Sequence, residues 1–129
     1  MLPPSTDIRK TVRGSVPAVS FGKIARKLLG PHYQLSVVIC GDKLARKINR
    51  AHRHKDYAPN VLSFTLGKSE GEIFLNARKA AREAKQFGVS YRARLALLFI
   101  HGCLHLKGLP HGLTMEGIEQ KTLRAFGIA

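Results

Sequence analysis

Three histidines between residues 101 and 111 form the pattern in this sequence that is best suited to chemistry. His101 and His105 are four residues apart, so on an α-helix their imidazoles point to nearly the same side and can bind one ion. Gly108 permits the left-handed backbone that ends a helix, and the chain can then bring back His111. Three imidazoles without a fourth protein ligand are typical of a catalytic zinc that keeps one position open for water or substrate. We therefore predict one zinc ion per chain.

The residue after the first histidine argues against one class of zinc enzyme. Zinc peptidases with this histidine spacing carry a general-base glutamate at that position. Here it is Gly102, which cannot accept a proton from water, so peptide hydrolysis by that mechanism is disfavoured. The alternative is that these are ordinary histidines, since the chain contains six. The third histidine, the glycine stop and the adjacent apolar helix favour a metal site.

The charge of the chain indicates the kind of partner. Its 129 residues include 22 Lys and Arg against 8 Asp and Glu, a net charge of +14. Such an excess favours a nucleic-acid partner, although a very soluble basic protein is the alternative. Residues 95–100 are the longest clean apolar run, far below the ~18 residues of a membrane span. Cys40 and Cys103 make no disulfide framework and no signal peptide is evident, so we predict a cytoplasmic protein.

Hydrophobic periodicity predicts the elements that position these residues. Helices are expected at 20–29, 42–51 (with Asp42 as cap), 77–87 and 115–126, together with a buried helix that begins at Ser90 and ends near Gly108. Strands are expected at 34–40, 61–66 and 72–75, the last two joined by the five-residue loop 67–71. An edge strand follows a short tail, residues 1–6. The histidines then lie at the end of a central buried helix.

Basic side chains recur along two of these helices and the loop 52–60. Few carboxylates compensate them, since Glu83 is the only acid between Ile73 and Met115. The alternative is that these side chains are simply solvated, but their repetition favours a surface that faces RNA or phosphate. The residues assigned to that surface are Lys43, Arg46, Lys47, Arg50, Lys55, Arg78 and Arg82.

Residues 101–111, with the sequence HGCLHLKGLPH, resemble the signature of the YbeY family of zinc-dependent endoribonucleases. Residues 48–64, INRAHRHKDYAPNVLSF, and residues 71–74, GEIF, resemble two further segments of that family in the same order. The similarity extends over about residues 35–127. It implies an α/β fold of α+β character, in which a small mixed four-stranded sheet is packed by about five helices. Residues 1–129 would form a single metal-dependent hydrolase domain.

The resemblance also implies a function. It makes His101, His105 and His111 zinc ligands and Arg53 a functional arginine of the cleft. The expected activity is single-strand-specific RNA cleavage in 16S rRNA 3′-end processing and small-subunit quality control. The expected partners are ribosomal RNA and small-subunit components, with no membrane and no obligate protein partner. Two alternatives stay open: a non-catalytic zinc-containing RNA-binding assembly factor, and a metallohydrolase for another phosphoester.

The chain departs from the family pattern at several positions. His52 and Ala58-Pro59 replace a tyrosine and a Pro-Thr pair, and Asn76 replaces a frequent cysteine. Leu109-Pro110 replaces a Tyr-Asp pair, which removes a carboxylate able to support a ligand. For Arg53, neutralisation of transition-state charge competes with two other roles, a surface phosphate contact and a salt bridge to Asp56.

Overall fold

Four strands form the central sheet of the computed structural model, which describes residues 5–128. They are β1 (Ser5–Lys10), β2 (Gln34–Cys40), β3 (Val61–Gly67) and β4 (Glu70–Asn76). Their order is β1-β2-β4-β3. The pairs β1/β2 and β2/β4 are parallel, whereas β3 pairs antiparallel with β4. The sheet is therefore mixed, as predicted, and β3 forms one of its edges.

Five helices surround this sheet. They are α1 (Phe21–Leu29), α2 (Asp42–Arg53), α3 (Ala77–Phe87), α4 (Tyr91–Leu106) and α5 (Leu113–Ala125). The predicted single domain with a four-stranded mixed sheet and five helices is confirmed. No helix within residues 5–128 is long and apolar enough to cross a membrane.

The two faces of the sheet are covered unequally. Because side chains alternate along a strand, Val37 packs on the face that α1, α3, α4 and α5 cover, whereas Val38 packs on the opposite face. On that opposite face Ala45 of α2 lies against Leu62 and Phe74 of the hairpin. A lone helix, α2, thus covers one side, and its outer surface is left to solvent.

The middle of α4 forms the centre of the larger core. Leu95, Phe99 and Ile100 are fully buried. The rings of Phe21 and Phe99 pack edge to face, with their centres 4.8 Å apart. Ser90 begins the helix as predicted, since its Oγ accepts a hydrogen bond from the Ala93 N–H at 3.0 Å. The helix ends at Leu106, and Gly108 follows with φ of 98°. A rigid, buried support therefore carries the two helical histidines.

Three sequence expectations about element ends were wrong. Helix α2 continues to Arg53 instead of ending at residue 51, so Arg53 belongs to a helix end and not to a loop. Gly41 is the N-cap of α2, and Asp42 lies in the first turn. The hairpin loop consists of residues 68–69 instead of 67–71, because Gly67 still pairs with Glu70. The hydrogen bonds between β3 and β4 continue to Gly67 and Gly71, residues whose type suggested a turn.

Two further expectations concern exposure and the amino terminus. The helical periodicity of residues 77–87 predicts that Phe87 faces the core together with Ala80 and Ala84. The residue is instead 55% exposed, and the guanidinium of Arg94 lies 4.8 Å from its ring centre. Of the predicted tail, Ser5 and Thr6 belong to β1, and residues 1–4 lie outside the described residues.

Candidate metal centre and its cleft

Three histidines meet where α4 ends. The Nε2 atoms of His101 and His105, one turn apart on α4, lie 3.0 Å from each other. The turn after Gly108 returns the chain and places His111 beside them. One ring nitrogen from each histidine can be chosen so that all lie within 4.8 Å of one another. The structure thus brings together the three predicted ligands, close enough to bind a metal ion.

The donor set fits zinc in its chemistry, and the spacing of the two helical imidazoles is compatible with that ion. Two nitrogens bound tetrahedrally to zinc at about 2.05 Å stand about 3.3 Å apart, close to the separation of the two helical imidazoles. Burial and the neighbouring His101 and His111 lower the pKa of His105, which keeps its imidazole neutral and able to bind a metal. The thiols do not compete, because burial raises the pKa of both Cys40, to about 11, and Cys103.

A carboxylate that sequence reasoning missed supports the cluster. Glu119 of α5 is 7% exposed, and its Oε2 accepts a hydrogen bond of 2.7 Å from Nδ1 of His101. This contact leaves Nε2 of His101 without a proton and directs it toward the other rings. One signal could have revealed it: Glu119 interrupts the apolar stripe of α5 between Met115 and Leu123, at four-residue spacing.

The glycine that argued against a peptidase has a structural reason. A Cβ atom on Gly102 would lie 3.0 Å from Ser63 Oγ and 3.2 Å from Ile73 Cδ1. The Ser63 hydroxyl also donates to the Gly102 carbonyl oxygen at 3.0 Å. Position 102 therefore faces the sheet at close approach, and a glutamate there would clash with β3 and β4.

The histidines form part of the wall of a cleft of about 530 Å³, here called the histidine cleft. Arg53, at the end of α2, lines it as the resemblance implies. The alternative salt bridge from Arg53 to Asp56 is wrong, because Asp56 instead pairs with Arg46 at 2.7 Å and Arg50 at 3.5 Å. The remaining lining residues are Tyr57, Pro59, Asn60, Val61, Ser63 and Lys79.

Lys79 is a second residue that sequence reasoning placed elsewhere. The helical periodicity of residues 77–87 predicts Lys79 on the solvent face of α3. Its Nζ instead donates to the Ala58 carbonyl oxygen at 2.8 Å, and the residue lines the histidine cleft. Nearby, Glu83 accepts hydrogen bonds from Asn60 and Arg94, both of which hold its carboxylate. The cleft therefore carries two cations, Arg53 and Lys79.

The basic residues predicted to face RNA are only partly brought together. A groove of about 1010 Å³ along the outer side of α2, here called the α2 groove, is lined by Lys43, Arg46, Lys47 and Arg50, with Asp42, Ala51, Asp56, Tyr57 and Ala58. Arg82 instead forms two hydrogen bonds of 2.8 Å to Asp42, and Arg78 donates to the Arg13 carbonyl oxygen. Lys55 is exposed and lies outside the lining of both clefts.

A mixed sheet with three convergent histidines at the end of its central helix defines an α/β protein with a candidate metal centre. A family model described as "Endoribonuclease YbeY" matches residues 6–127. The chain belongs to the YbeY family, and the resemblance noted from the sequence is confirmed.

Relatives of similar length support this assignment. A protein of Geobacter metallireducens named "Endoribonuclease YbeY" is 40% identical over 123 residues, covering 82% of each chain. One of the same name from Methylibium petroleiphilum is 34% identical and covers 91% of this chain and 84% of its own. A solution structure of a Thermotoga maritima protein superposes with a TM-score of 0.67 at 22% identity, over 93% of this chain and 87% of that one. It supports the fold.

Proposed function

We propose that this protein is a zinc-dependent endoribonuclease that cleaves single-stranded RNA in the histidine cleft. The observation that carries the proposal is the convergence of His101, His105 and His111 in a cleft that also contains Arg53. The relatives are named endoribonucleases, which supports RNA as the substrate. The net charge of +14 supports a polyanion over a small phosphoester.

The residues of the histidine cleft would have separate roles in cleavage. The three imidazoles hold the ion, which when bound supplies Lewis acidity toward a phosphoryl oxygen or water. Arg53 faces the scissile phosphate and offsets the negative charge that grows on it, as a bidentate guanidinium can. Lys79, fixed by the Ala58 carbonyl, adds a second positive charge.

The histidine cleft provides few side chains that could transfer a proton. Among the described residues that line it there is no carboxylate, and Glu119 is already bonded to His101. RNA carries its own nucleophile in the 2′-hydroxyl, whose attack on the adjacent phosphate forms a bond to phosphorus and breaks the P–O5′ bond. Solvent would accept the hydroxyl proton and return one to the leaving 5′-oxygen, while the protein orients the groups and stabilises the charge. A substrate with an internal nucleophile therefore suits this cleft.

The proposed biological setting is ribosome maturation in the cytoplasm, with 16S rRNA 3′-end processing and small-subunit quality control as the process. A second candidate is an assembly factor that binds rRNA without cutting it. Among the described residues that line the histidine cleft there is no carboxylate, and this favours that candidate because RNA binding alone requires no proton transfer.

Cleavage of a single-stranded fragment from the 3′ end of 16S rRNA tests the proposal. Zinc-loaded protein is compared with His105→Ala and with His32→Ala, which removes an exposed histidine outside the cleft. We expect cleavage by the parent and by His32→Ala and none by His105→Ala. Equal cleavage by His105→Ala would show a contaminating nuclease. RNA binding without cleavage by any of the three would support the assembly factor.

A further inference from the structure

One residue lines both the histidine cleft and the α2 groove. Tyr57 belongs to both walls, and it is followed by Ala58 in the α2 groove and by Pro59 and Asn60 in the histidine cleft. Residues 57–60, here called the ridge, therefore separate the two depressions. A strand that leaves the histidine cleft toward α2 has to pass over Tyr57.

The ridge is fixed from beneath by hydrogen bonds to four successive carbonyls. The Asn49 and Asn76 side chains, each 1% exposed, donate to the carbonyl oxygens of Tyr57 and Pro59 at 3.1 Å. Lys79 Nζ donates to Ala58 and the Asn76 N–H to Asn60, at 2.8 and 2.9 Å. A loop so anchored holds its side chains in place before any ligand binds, which reduces the entropy cost of binding.

The Tyr57 ring stands free on this fixed backbone. Its residue is 52% exposed. Within residues 5–128 its ring makes no aromatic contact and its hydroxyl no hydrogen bond. An exposed tyrosine on a rigid segment is suited to stack on a planar partner, and it loses little side-chain entropy on doing so.

The α2 groove next to the ring offers unpaired positive charge. Its two acids are already engaged, Asp56 by Arg46 and Arg50, and Asp42 by Arg82. Lys43 and Lys47 have no ion-pair partner in the described part of the chain. Lys43 and Arg50 are seven residues apart, so the cations extend for about 10 Å along the helix.

We infer that Tyr57 is a stacking platform for an unpaired RNA base, and that the α2 groove binds the phosphates on that side of the cleavage site. The inference rests on the proposed function, because it takes the histidine cleft as the place of cleavage. Alternating aromatic and cationic contacts are typical of proteins that bind single strands, whereas a base within a duplex offers no free face. The ligand is therefore single-stranded RNA.

Fluorescence can detect the stacking directly, because the chain contains no tryptophan. Tyr57→Trp creates a single reporter, which is titrated with a 2′-O-methyl RNA decamer that lacks the internal nucleophile and is checked for integrity on a gel. Linear polyphosphate supplies the charge without bases. We expect quenching by the RNA and little by polyphosphate. No quenching, or equal quenching by both, would overturn the assignment of Tyr57.

The affinity for the same decamer distinguishes the contribution of the Tyr57 ring from that of its hydroxyl group. Tyr57→Ala should weaken binding about tenfold, the size of one lost base stack, whereas Tyr57→Phe should stay within about twofold. Equal binding by all three proteins would contradict a stacking role. These measurements need no cleavage, so their failure is distinguishable from failure of the proposed activity.

A charge-reversal pair tests the groove. Lys43→Glu/Lys47→Glu is compared with Lys23→Glu/Lys27→Glu, which makes the same charge change on α1, across the sheet from α2. We expect the first to weaken RNA binding tenfold or more and to flatten its salt dependence, and the second to change it by less than about threefold. Equal losses would show general attraction and overturn the groove as a binding site.

Discussion

Glu119 Oε2 lies 2.7 Å from Nδ1 of His101, and this hydrogen bond joins α5 to the end of α4 that carries the histidines. The carboxylate is buried, so the bond is poorly screened by water. It sets the tautomer of His101 and leaves Nε2 directed at His105. The resemblance to the family suggested that a supporting carboxylate was lost before His111, but α5 supplies one from eight residues beyond it.

Replacement of this carboxylate should weaken metal binding. Glu119→Gln keeps the size and a hydrogen-bond acceptor but removes the charge, so zinc affinity should fall about 10- to 100-fold. Glu116→Gln is the matched control, because Glu116 is exposed in the first turn of the same helix. Competition with a chromophoric chelator measures both. Equal affinities would contradict a supporting role for Glu119.

The sequence predicted the histidine centre well because its geometry is local. A four-residue spacing on one helix and a glycine after it determine where His101, His105 and His111 can meet. Glu119 and Lys79 were missed, because their contacts depend on how α5 and α3 pack against α4 and the ridge. The end of α2 was also missed, because no glycine or proline marks it in the sequence. The left-handed C-cap is His54, with φ of 57°, a residue type that seldom adopts this conformation.

Most of the fold was predictable for a similar reason. The bounds of strand β2 and helix α3 are the ones that the sequence predicts. The hairpin loop was expected to be longer, because Gly67 and Gly71 suggest a turn where the strands in fact continue to pair. The two faces of the sheet could not be assigned from the sequence, since the continuous apolar run of β2 shows that both faces are covered but not by which helices.

Close packing at Gly102 predicts a loss of stability. Gly102→Ala places a methyl group 3.0 to 3.2 Å from Ser63 and Ile73, so unfolding free energy should fall by about 1–3 kcal/mol. Gly117→Ala is the opposite case, because nothing lies within 4 Å of its Cβ position inside α5. That substitution should stabilise by about 0.5–1 kcal/mol through helix propensity. Urea unfolding compares them, and the same sign for both would be inconsistent with this packing.

Arg53 should affect catalysis without affecting metal content. Arg53→Ala is expected to lower kcat for RNA cleavage about 100-fold, because a charge that stabilises the transition state is lost. Arg53→Lys should lie between, since lysine keeps the charge but not the bidentate geometry. Zinc content should remain one ion per chain in both. An unchanged kcat in Arg53→Ala would remove this residue from the mechanism.

The Asp42–Arg82 pair predicts a pH dependence of stability. Hydrogen bonds from Arg82 and Asn76 lower the pKa of Asp42 to about 2. A carboxyl group whose pKa is lowered in the folded state stabilises the fold at pH values above its ordinary pKa of about 3.9. That contribution is lost as the pH falls toward 2. Since the Asp42 side chain is 44% exposed, solvent screening limits the contribution to about 1 kcal/mol or less.

Thermal unfolding of the parent and Asp42→Asn across pH 7 to 2 measures this contribution. The parent should be the more stable at pH 7, and the difference should shrink to near zero by pH 2. A difference that stays constant over that range would show that Asp42 contributes through packing and not through its charge.

The most direct test of a catalytic metal in the histidine cleft is a zinc titration of the metal-free protein, followed by the initial rate of cleavage of a single-stranded rRNA fragment. We expect the rate to rise linearly and to stop rising at one zinc per chain, and we expect no rise for His105→Ala. A rate already maximal in the metal-free protein, or a rise that His105→Ala shares, would contradict a catalytic metal at the three histidines.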